Sequence, residues 1–442
     1  MIDNKSNFQL PVNTIIKHIK TLYDERRYAE SLDRCLQITQ AYPKLWKTWY
    51  WAETNCIHLQ RWQDAIGYAH MALAHGGVDF GIYDGLAHAH GELKQLNAAR
   101  RYGLLALDMR DRQFGGQPVI GLPEPGPVPP PPSAPTRTHN IIAFSLFGAD
   151  PKYCESAILN VQEQPRIYPH WVCRFYVDDS VPENVIARLR QGGAQIVPVE
   201  QPAAQWPGPM WRLLALNDPL AHRILFRDAD SVISRREATA VEQWVASGKR
   251  FHMMRDHSAN TELILAGLWG VVSGSLPPLE NLIVRFMSAP LASRHFADQY
   301  FLRQYIWPYA RTSLMQHDSV FGFMGGLPFP DTEKTKDFYV GCAENVASIS
   351  VKINLPDQSE VVCKLYLFEK QNDDHITAEL VSSIPVTLLE HDEDNNPETQ
   401  ELACNYTNFV QNSVVTMFFP LRYIRRLQRG TARICLVPKP AA

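Results

Sequence analysis

Residues 223–231 read RILFRDADS, an apolar segment followed directly by two aspartates, Asp228 and Asp230. The apolar part predicts a buried strand, so the aspartates fall in the loop at its carboxyl end. Open α/β sheets bind ligands beyond the carboxyl ends of their strands. Two carboxylates separated by one residue can both face Mg²⁺ or Mn²⁺, which prefer oxygen ligands. The stretch therefore predicts a sheet with a divalent-cation site at its edge. A turn that caps a helix near Arg236 is the alternative.

Strands and helices alternate on the N-terminal side of this stretch, as expected of a mostly parallel sheet with helices on both faces. The predicted strands are residues 139–147, 171–177, 194–199 and 221–226, and the predicted helices are residues 153–162, 181–191 and 210–217.

The first hundred residues are helical in pattern and repeat themselves. Similar residues recur 34 positions apart at Trp46 and Phe80, Trp49 and Tyr83, Leu59 and Leu93, Trp62 and Leu96, Ala65 and Ala99, and Ala72 and Ala106. This period, with small residues at two fixed places, is the tetratricopeptide pattern, and residues 12–43 form a looser earlier copy. Stacked repeats form concave peptide-binding surfaces, so we expect a protein partner here.

A proline-rich segment and a β-rich tail complete the chain. Residues 118–135 read PVIGLPEPGPVPPPPSAP and predict a semi-rigid spacer, with a ligand for an SH3-type domain as the alternative. Short β-rich runs at 347–355, 360–368, 377–389, 414–419 and 432–437 predict a small β-sandwich-like domain or a β extension. The predicted architecture is multidomain: a helical solenoid (1–114), a linker (115–138), an α/β domain (139–343) and a β-rich domain (344–442).

Composition excludes several classes of function. The chain has 442 residues and a formal net charge of -3, which does not favour a nucleic-acid partner. No apolar run approaches the roughly 20 residues that span a bilayer, and the N-terminus has no secretory pattern. The 8 cysteines are dispersed, so we expect reduced, mostly buried thiols and a cytoplasmic location.

Residues 251–257, FHMMRDH, carry a cluster of titratable groups at the end of a predicted strand. Arg255 could clamp a phosphate or carboxylate. Asp256 or His257 could bind an acceptor hydroxyl or take its proton. A surface ion cluster is the alternative, and His252 alternates inward as a core histidine.

Three further segments hold candidate site residues. In residues 264–270, ILAGLWG, the small Ala266 and Gly267 would let a ligand approach the backbone, and Trp269 could stack on a sugar ring. A tight strand crossing is the alternative there. Asp298-Gln299 lies within an apparent helix. His317-Asp318 suggests a hydrogen-bonded turn, although His317 could also give a nitrogen ligand to the same cation.

Residues 141–319 resemble bacterial glycosyltransferases of the GT-A fold. The matching text is FSLFG (144–148), PKY (151–153), residues 171–178, Trp211-Arg212, RDADS (227–231), and the 251–257 and 264–270 segments. Similar sequences are uncharacterised sugar transferases in bacterial surface-polysaccharide contexts. The segment is also distantly similar to retaining galactosyl- and glucosyltransferases.

The resemblance implies roles for particular residues. The metal ligands would be Asp228, Asp230 and His317; the donor sugar would lie on Ala266 and Gly267; Asp298 and Gln299 would sit at the reaction centre; and a uridine-type nucleotide would lie near Phe144, Ser145, Asp178, Trp211 and Arg212. Tyr300 stands where those relatives have a third acid, so inversion and retention both stay open. An inverting reaction would use Asp256 or Asp298 as its base, and a retaining one would rely on the metal and Arg255.

The expected function is therefore metal-dependent transfer of a sugar from a nucleotide-diphosphate donor, preferably a UDP-sugar, to a protein or glycan acceptor. The repeats would dock the acceptor or a protein partner. One alternative is an inactive transferase domain that serves as a scaffold. Another is a nucleotidyl or phosphoryl transferase, which the lack of a Walker-type motif disfavours.

Overall fold

A computed structural model describes residues 6–117, 119, 121, 126–291, 293–330, 339–344, 346–368, 386–388 and 400–439. Six helices come first: α1 (Ser6–Asp24), α2 (Tyr28–Ala41), α3 (Trp46–His58), α4 (Trp62–Ala74), α5 (Phe80–Glu92) and α6 (Leu96–Phe114). Strands and helices then alternate: β1 (Asn140–Leu146), α7 (Pro151–Ile167), β2 (Val172–Val177), α8 (Glu183–Gln191), β3 (Gln195–Pro198), a 3₁₀ helix (Gly208–Asn217), β4 (Arg223–Phe226) and α9 (Arg235–Ser247).

The remaining elements are shorter. They are β5 (Phe251–Arg255), β6 (Trp269–Val272), α10 (Leu279–Met287), α11 (Ala297–Phe301), a π-helical turn (Leu302–Ile306), α12 (Trp307–Ala310) and β7 (Leu314–Asp318). The tail contains β8 (Val346–Lys352), β9 (Glu360–Phe368), β10 (Val386–Leu388), β11 (Gln400–Phe409), β12 (Val414–Pro420), α13 (Leu421–Gln428) and β13 (Ala432–Pro438). Helical repeats, an α/β sheet region and a β-rich tail are thereby confirmed.

The chain forms two compact units, each assembled from separate segments. Unit 1 combines Met1–Val128, Thr239–Ala289 and Gln299–Val340, and unit 2 combines Pro129–Ala238, Pro290–Asp298 and Gly341–Ala442. The linear domain boundaries expected from the sequence stay a prediction, because these units follow spatial proximity and not chain order.

The helices of unit 1 repeat with the predicted period. Arg26, Gln60 and Lys94 lie 34 residues apart, and each adopts a left-handed conformation in the turn that joins two helices of a hairpin. The small residues Ala65 and Ala99 are fully buried at equivalent places in α4 and α6. Because small side chains let neighbouring helices approach closely, the three hairpins α1–α2, α3–α4 and α5–α6 stack around one core.

The last hairpin also packs against later parts of unit 1. The α carbon of Gly103 in α6 faces the ring of Phe321, where a methyl group would collide with the ring. Asp111 accepts hydrogen bonds from the Trp307 indole at 2.8 Å and from Arg311 at 3.0 Å. The repeats are therefore built into this unit together with residues from the second half of the chain.

Unit 2 contains the four parallel strands that the sequence predicted. Their order is β3-β2-β1-β4. In the register, Leu146 at the end of β1 lies beside Val177 of β2, and Ala143 lies beside Phe226 of β4. Since parallel strands end at the same edge, the loops after β1, β2 and β4 meet there. Unit 1 contains β6-β5-β7, in which β5 pairs antiparallel with β6 and parallel with β7.

The β-rich tail shares a core with the α/β part of unit 2. It forms a four-stranded sheet, β10-β13-β9-β11, and a pair, β12-β8. Leu159 of α7 and Val232 after β4 are buried in the same hydrophobic cluster as the tail strands. The tail thus matches the predicted β extension. The predicted run 377–389 lies outside the described residues except for β10.

Among the described residues, no helix has both the length and the apolar character needed to cross a bilayer. All eight cysteines are free thiols, and Cys342 is the one that is not fully buried.

A pair of helical glycines tests how α6 packs in unit 1. We expect Gly103→Ala to lower the free energy of unfolding by about 1–3 kcal/mol, because the new methyl group must displace the Phe321 ring. The matched control is Gly67→Ala in α4, where a Cβ would meet no atom within 4 Å. That change should raise the free energy of unfolding by about 0.5–1 kcal/mol through helix propensity. Chemical denaturation measures both, and equal effects of the two variants would contradict the packing described.

Glu53 is a buried carboxyl group in the repeats. Its side chain is 1% exposed, and neither carboxyl oxygen has a hydrogen-bond partner within the part of the chain that the structure describes. Burial, followed by the charges of Asp84 and Asp79, raises the pKa of Glu53 well above its usual value. A group whose pKa is raised on folding stabilises the fold below its unfolded pKa, and that contribution is lost as the pH rises through the folded pKa.

We therefore expect Glu53→Gln to stabilise the protein at high pH and to have little effect near pH 4. The expected Tm increase is about 2 °C or more at pH 8, because the variant has no proton to lose. Glu30→Gln is the control, since Glu30 is fully exposed and its pKa is lowered by its hydrogen bond to Arg27. Thermal unfolding across pH measures the difference. A Tm change for Glu53→Gln that is the same at both pH values would contradict the assignment.

Candidate functional site

A buried ion pair in unit 2 fixes the start of the loop after β4 to the protein interior. Arg227 donates from its Nε to Glu237 at 2.9 Å, and both side chains are almost completely buried. The Tyr168 hydroxyl donates to the same carboxylate at 3.1 Å. Because Arg227 points into the protein, the next residues of the RDADS segment turn towards the sheet edge, and Asp228 is half exposed.

Arg212 joins two acids at this edge. Its guanidinium donates to Asp228 at 2.6 Å, to Asp298 at 2.7 Å and to the backbone carbonyl of Arg227 at 2.7 Å. The Arg212 side chain is 5% exposed and that of Asp298 is 8% exposed. Although burial opposes the charged form, Asp228 and then Asp298 raise the pKa of Arg212. The guanidinium is thus a permanent positive charge between two carboxylates.

The second aspartate of the loop has a different cationic partner. Lys152, in the first turn of α7, places its Nζ 2.6 Å from the Asp230 carboxylate. The backbone carbonyl of Asp230 accepts a hydrogen bond from Glu344 N at 2.6 Å. Asn160 of α7 bonds the next residues, donating to the Ser231 carbonyl and accepting from Ile233 N, both at 2.9 Å. Lys152 was not identified in the sequence, although it directly follows the α7 start in the matching PKY segment.

The predicted nucleotide residues of unit 2 lie around the same edge. The Ser145 hydroxyl accepts from Arg212 N at 2.9 Å and donates to the Pro209 carbonyl at 3.2 Å. Trp211 is buried and contacts the ring of Phe147, which is 42% exposed. Phe144 is fully buried and stacks on Phe175 with ring centroids 4.7 Å apart.

Asp178, at the end of β2, belongs to a small hydrogen-bonded turn. Its carboxylate accepts from Ser180 N at 3.1 Å and from the Ser180 hydroxyl. Ser180 in turn accepts from Gly148 N at 2.6 Å, which ties the loop after β1 to the loop after β2. Of the residues in unit 2, Phe147 was missed by sequence reasoning, because an exposed phenylalanine has no distinguishing pattern.

The 251–257 segment lies in unit 1 and is largely buried. Arg255 donates to the Glu262 carbonyl at 2.9 Å, to Gln316 at 2.6 Å and to the Leu263 carbonyl. Burial lowers the pKa of Arg255. The Asp256 carboxylate is 7% exposed and accepts from Val340 N at 3.1 Å.

The other predicted residues of unit 1 also have defined surroundings. Gln299 accepts from Ala266 N at 3.1 Å and donates to the Ile264 carbonyl, so it holds the segment that contains the buried Gly267. Trp269 is fully buried in β6, opposite Met253 of β5. The predicted site residues are thus divided between the two units. Those in unit 1 are Arg255, Asp256, Ala266, Gly267, Trp269 and Gln299. Those in unit 2 include Asp228, Asp230 and Asp298.

His317 lies in the buried part of β7. Its Nδ1 is 2.8 Å from His252 Nε2, and its Nε2 is 2.9 Å from Gln243 Oε1. Burial lowers the pKa of His317 to about 4, so the imidazole is neutral at pH 7. Both ring nitrogens are engaged, and coordination of a metal would require His317 to release one partner.

The acidic edge of unit 2 suits a hard cation in its chemistry. Asp228, Asp230 and Asp298 give three carboxylates, and Arg212 and Lys152 give two positive charges, which leaves one net negative charge. The Asp228 side chain is half exposed, and its Oδ1 is the oxygen that accepts from Arg212. No group of three His, Cys, Asp or Glu side chains in metal-binding proximity occurs among the described residues. A cation held by Asp228 or Asp230 would keep several water ligands, as Mg²⁺ commonly does.

A cavity of about 380 Å³ lies in unit 1 and contains none of the predicted site residues. It is lined by Gln113, Phe114, Gln117, Leu282, Arg285, Gln304, Tyr305, Pro308 and Tyr309.

No protein-family model matches the chain, and no curated protein matches it. Three solved structures are similar in part. YrrB, described as a TPR protein with an unusual peptide-binding site, is 16% identical with a TM-score of 0.21, over 22% of this chain and 52% of that one. A mutant O-GlcNAc transferase of Thermobaculum terrenum is 15% identical with a TM-score of 0.26, over 50% of each chain.

The third is the 4-diphosphocytidyl-2C-methyl-D-erythritol synthase of Anaerococcus prevotii. It is 8% identical with a TM-score of 0.25, over 38% of this chain and 83% of that one. The chain spans about half the length of the first two structures. TM-scores this low carry no inference about fold or activity.

Proposed function

We propose that this chain is a divalent-cation-dependent glycosyltransferase that moves a sugar from a nucleoside-diphosphate donor, a UDP-sugar by preference, to a protein or glycan acceptor. The observation that supports this proposal is the pairing of Asp228 and Asp298 with Arg212, and of Asp230 with Lys152, at the carboxyl edge of the parallel strands of unit 2. Ligands of such sheets bind at this edge. The GT-A family resemblance of residues 141–319 remains part of the proposal.

In the proposed reaction the acceptor hydroxyl oxygen forms a bond to the anomeric carbon, and the bond from that carbon to the diphosphate breaks. The electron pair of the broken bond leaves with the diphosphate. The residues that would hold the cation are Asp228 and Asp230. When bound, Mn²⁺ or Mg²⁺ supplies Lewis-acid stabilisation of the negative charge on the departing diphosphate.

The chain's own residues then have separate tasks. Arg212 holds Asp228 and Asp298 in position, because it donates a short charge-assisted hydrogen bond to each carboxylate. Asp298 is the proposed base for an inverting reaction, in which it accepts the proton of the acceptor hydroxyl. It belongs to the same unit as Asp228, which distinguishes it from Asp256. The exposed ring of Phe147, beside Trp211, offers a face on which a nucleobase could stack.

The repeats are proposed to dock the acceptor or a protein partner. Helices α5 and α6 already contact other segments of unit 1, so the partner would bind along α1 to α4. The roles expected for the site residues of unit 1 remain predictions. These residues are Arg255, Asp256, Ala266, Gly267, Trp269, Gln299 and His317.

One observation favours the alternative of an inactive scaffold. Asp228 and Asp230 are each bonded to a cationic side chain, so a metal would have to compete with Arg212 and Lys152 for these carboxylates. The two proposals differ in a simple measurement, because a scaffold neither binds a nucleotide in a metal-dependent way nor cleaves a nucleotide sugar.

The test is nucleoside diphosphate release from a panel of nucleotide sugars in the presence of Mn²⁺. We expect release by the native protein, abolition by chelation, and a loss of about 100-fold or more in Asp228→Asn and Asp230→Asn, because each variant loses a charge that holds the cation. The matched control is Asp218→Asn, which removes an aspartate that is paired with Arg174 in the same unit.

The control variant should retain activity. Native protein with no release and no Mn²⁺-dependent nucleotide binding would support the scaffold. Release of pyrophosphate, or a transferred nucleotide in place of a sugar, would identify a nucleotidyl transferase. The anomeric configuration of the product distinguishes inversion from retention.

A further inference from the structure

Lys152 pairs with one of the two aspartates that are proposed to hold the cation. Its Nζ lies 2.6 Å from Asp230, and the side chain is 35% exposed. The same ammonium lies 4.8 Å from the centroid of the Tyr153 ring, a contact that a cation makes with an aromatic face. Lysine carries its charge on a flexible four-carbon stem, so the ammonium can be redirected by side-chain rotation alone.

Simultaneous binding of the Lys152 ammonium and a divalent ion to the Asp230 carboxylate is electrostatically unfavourable. A divalent ion bound by Asp230 would compete with the ammonium for the same carboxylate, and like charges repel strongly where water is partly excluded. Lys152 must therefore move away from Asp230 when the metal binds. The freed ammonium then lacks an anionic partner unless the ligand supplies one.

The position of Lys152 in the fold suggests that partner. Helix α7 begins at Pro151, shortly after β1 ends at Leu146, so its first turn lies at the carboxyl edge of the sheet. The Asp150 side chain caps the helix by accepting from Lys152 N at 2.9 Å. Because the Asp150 carboxylate already caps this helix start, the positive charge offered to a second anion is the Lys152 ammonium. A diphosphate is the anion that arrives with the metal in the proposed reaction.

We propose that Lys152 is an exchangeable counterion: it neutralises Asp230 in the metal-free protein, and it binds the donor diphosphate once the cation has displaced it. This inference rests on the proposed function and adds a binding residue to it. Asp230 thereby has a cationic partner before the substrate binds. When metal and nucleotide bind together, the Lys152 ammonium contacts the diphosphate leaving group instead.

The proposal gives Lys152 opposite effects on two affinities, which a purely structural role would not produce. Isothermal titration calorimetry of the full chain measures Mn²⁺ binding alone and UDP binding at saturating Mn²⁺. In Lys152→Met, we expect Mn²⁺ alone to bind about threefold or more tightly, because the competing charge is gone. UDP should bind about tenfold or more weakly, because one charge-assisted contact is lost.

Lys152→Arg should restore most of the UDP affinity, since it restores the charge. Lys439→Met is the matched control, because Lys439 pairs with Glu360 at 2.7 Å in the same unit, and it should change neither affinity. Thermal unfolding of each variant checks that it is folded.

The outcomes separate the two proposals. If native protein binds neither Mn²⁺ nor UDP, the proposed function fails and the inference fails with it. If native protein binds both ligands but Lys152→Met leaves either affinity unchanged or shifts both in the same direction, the inference alone is overturned.

Discussion

A buried guanidinium placed between two carboxylates organises the acidic edge of unit 2. Arg212 contacts Asp228, Asp298 and the backbone carbonyl of Arg227, so it ties the loop after β4 to the segment that ends at Asp298. Removing one member of such a buried group would leave a charge without a partner, which is strongly destabilising. The arrangement therefore holds Asp228 and Asp298 in fixed positions at the carboxyl edge of the parallel strands.

The helical repeats are part of unit 1. Gly103 leaves room for the Phe321 ring, and Asp111 accepts hydrogen bonds from Trp307 and Arg311 in the second half of the chain. A partner bound along α1 to α4 would contact the same unit that contains Arg255, Gln299 and His317. An acceptor docked on the repeats would thus be held by the same unit that carries many of the predicted site residues.

The sequence predicted the elements well and their partnerships poorly. The apolar run before Asp228 was enough to place the loop at the end of a strand, since hydrophobic periodicity and parallel topology are local or nearly local properties. Arg212 and Asp298 are 86 residues apart, and neither their ion pair nor the one between Lys152 and Asp230 has a trace in spacing or composition. Strand β11 was missed because QELACNYTNF is mostly polar, and α13 because LRYIRRLQ is dominated by charge. The discontinuous units were missed for the same reason as the ion pairs, because tertiary contacts decide them.

The most direct test of the role of Arg212 is the affinity for UDP with and without Mn²⁺, measured by calorimetry for native protein and for Arg212→Lys. A lysine keeps the charge but cannot donate to both carboxylates in a fixed geometry. The account predicts that native protein binds UDP only with Mn²⁺, and that Arg212→Lys weakens this binding about tenfold or more, whereas Arg174→Lys, at the comparable pair with Asp218, does not. The account would be contradicted if Arg212→Lys bound UDP with the affinity of native protein, or if native protein bound UDP equally well with and without Mn²⁺.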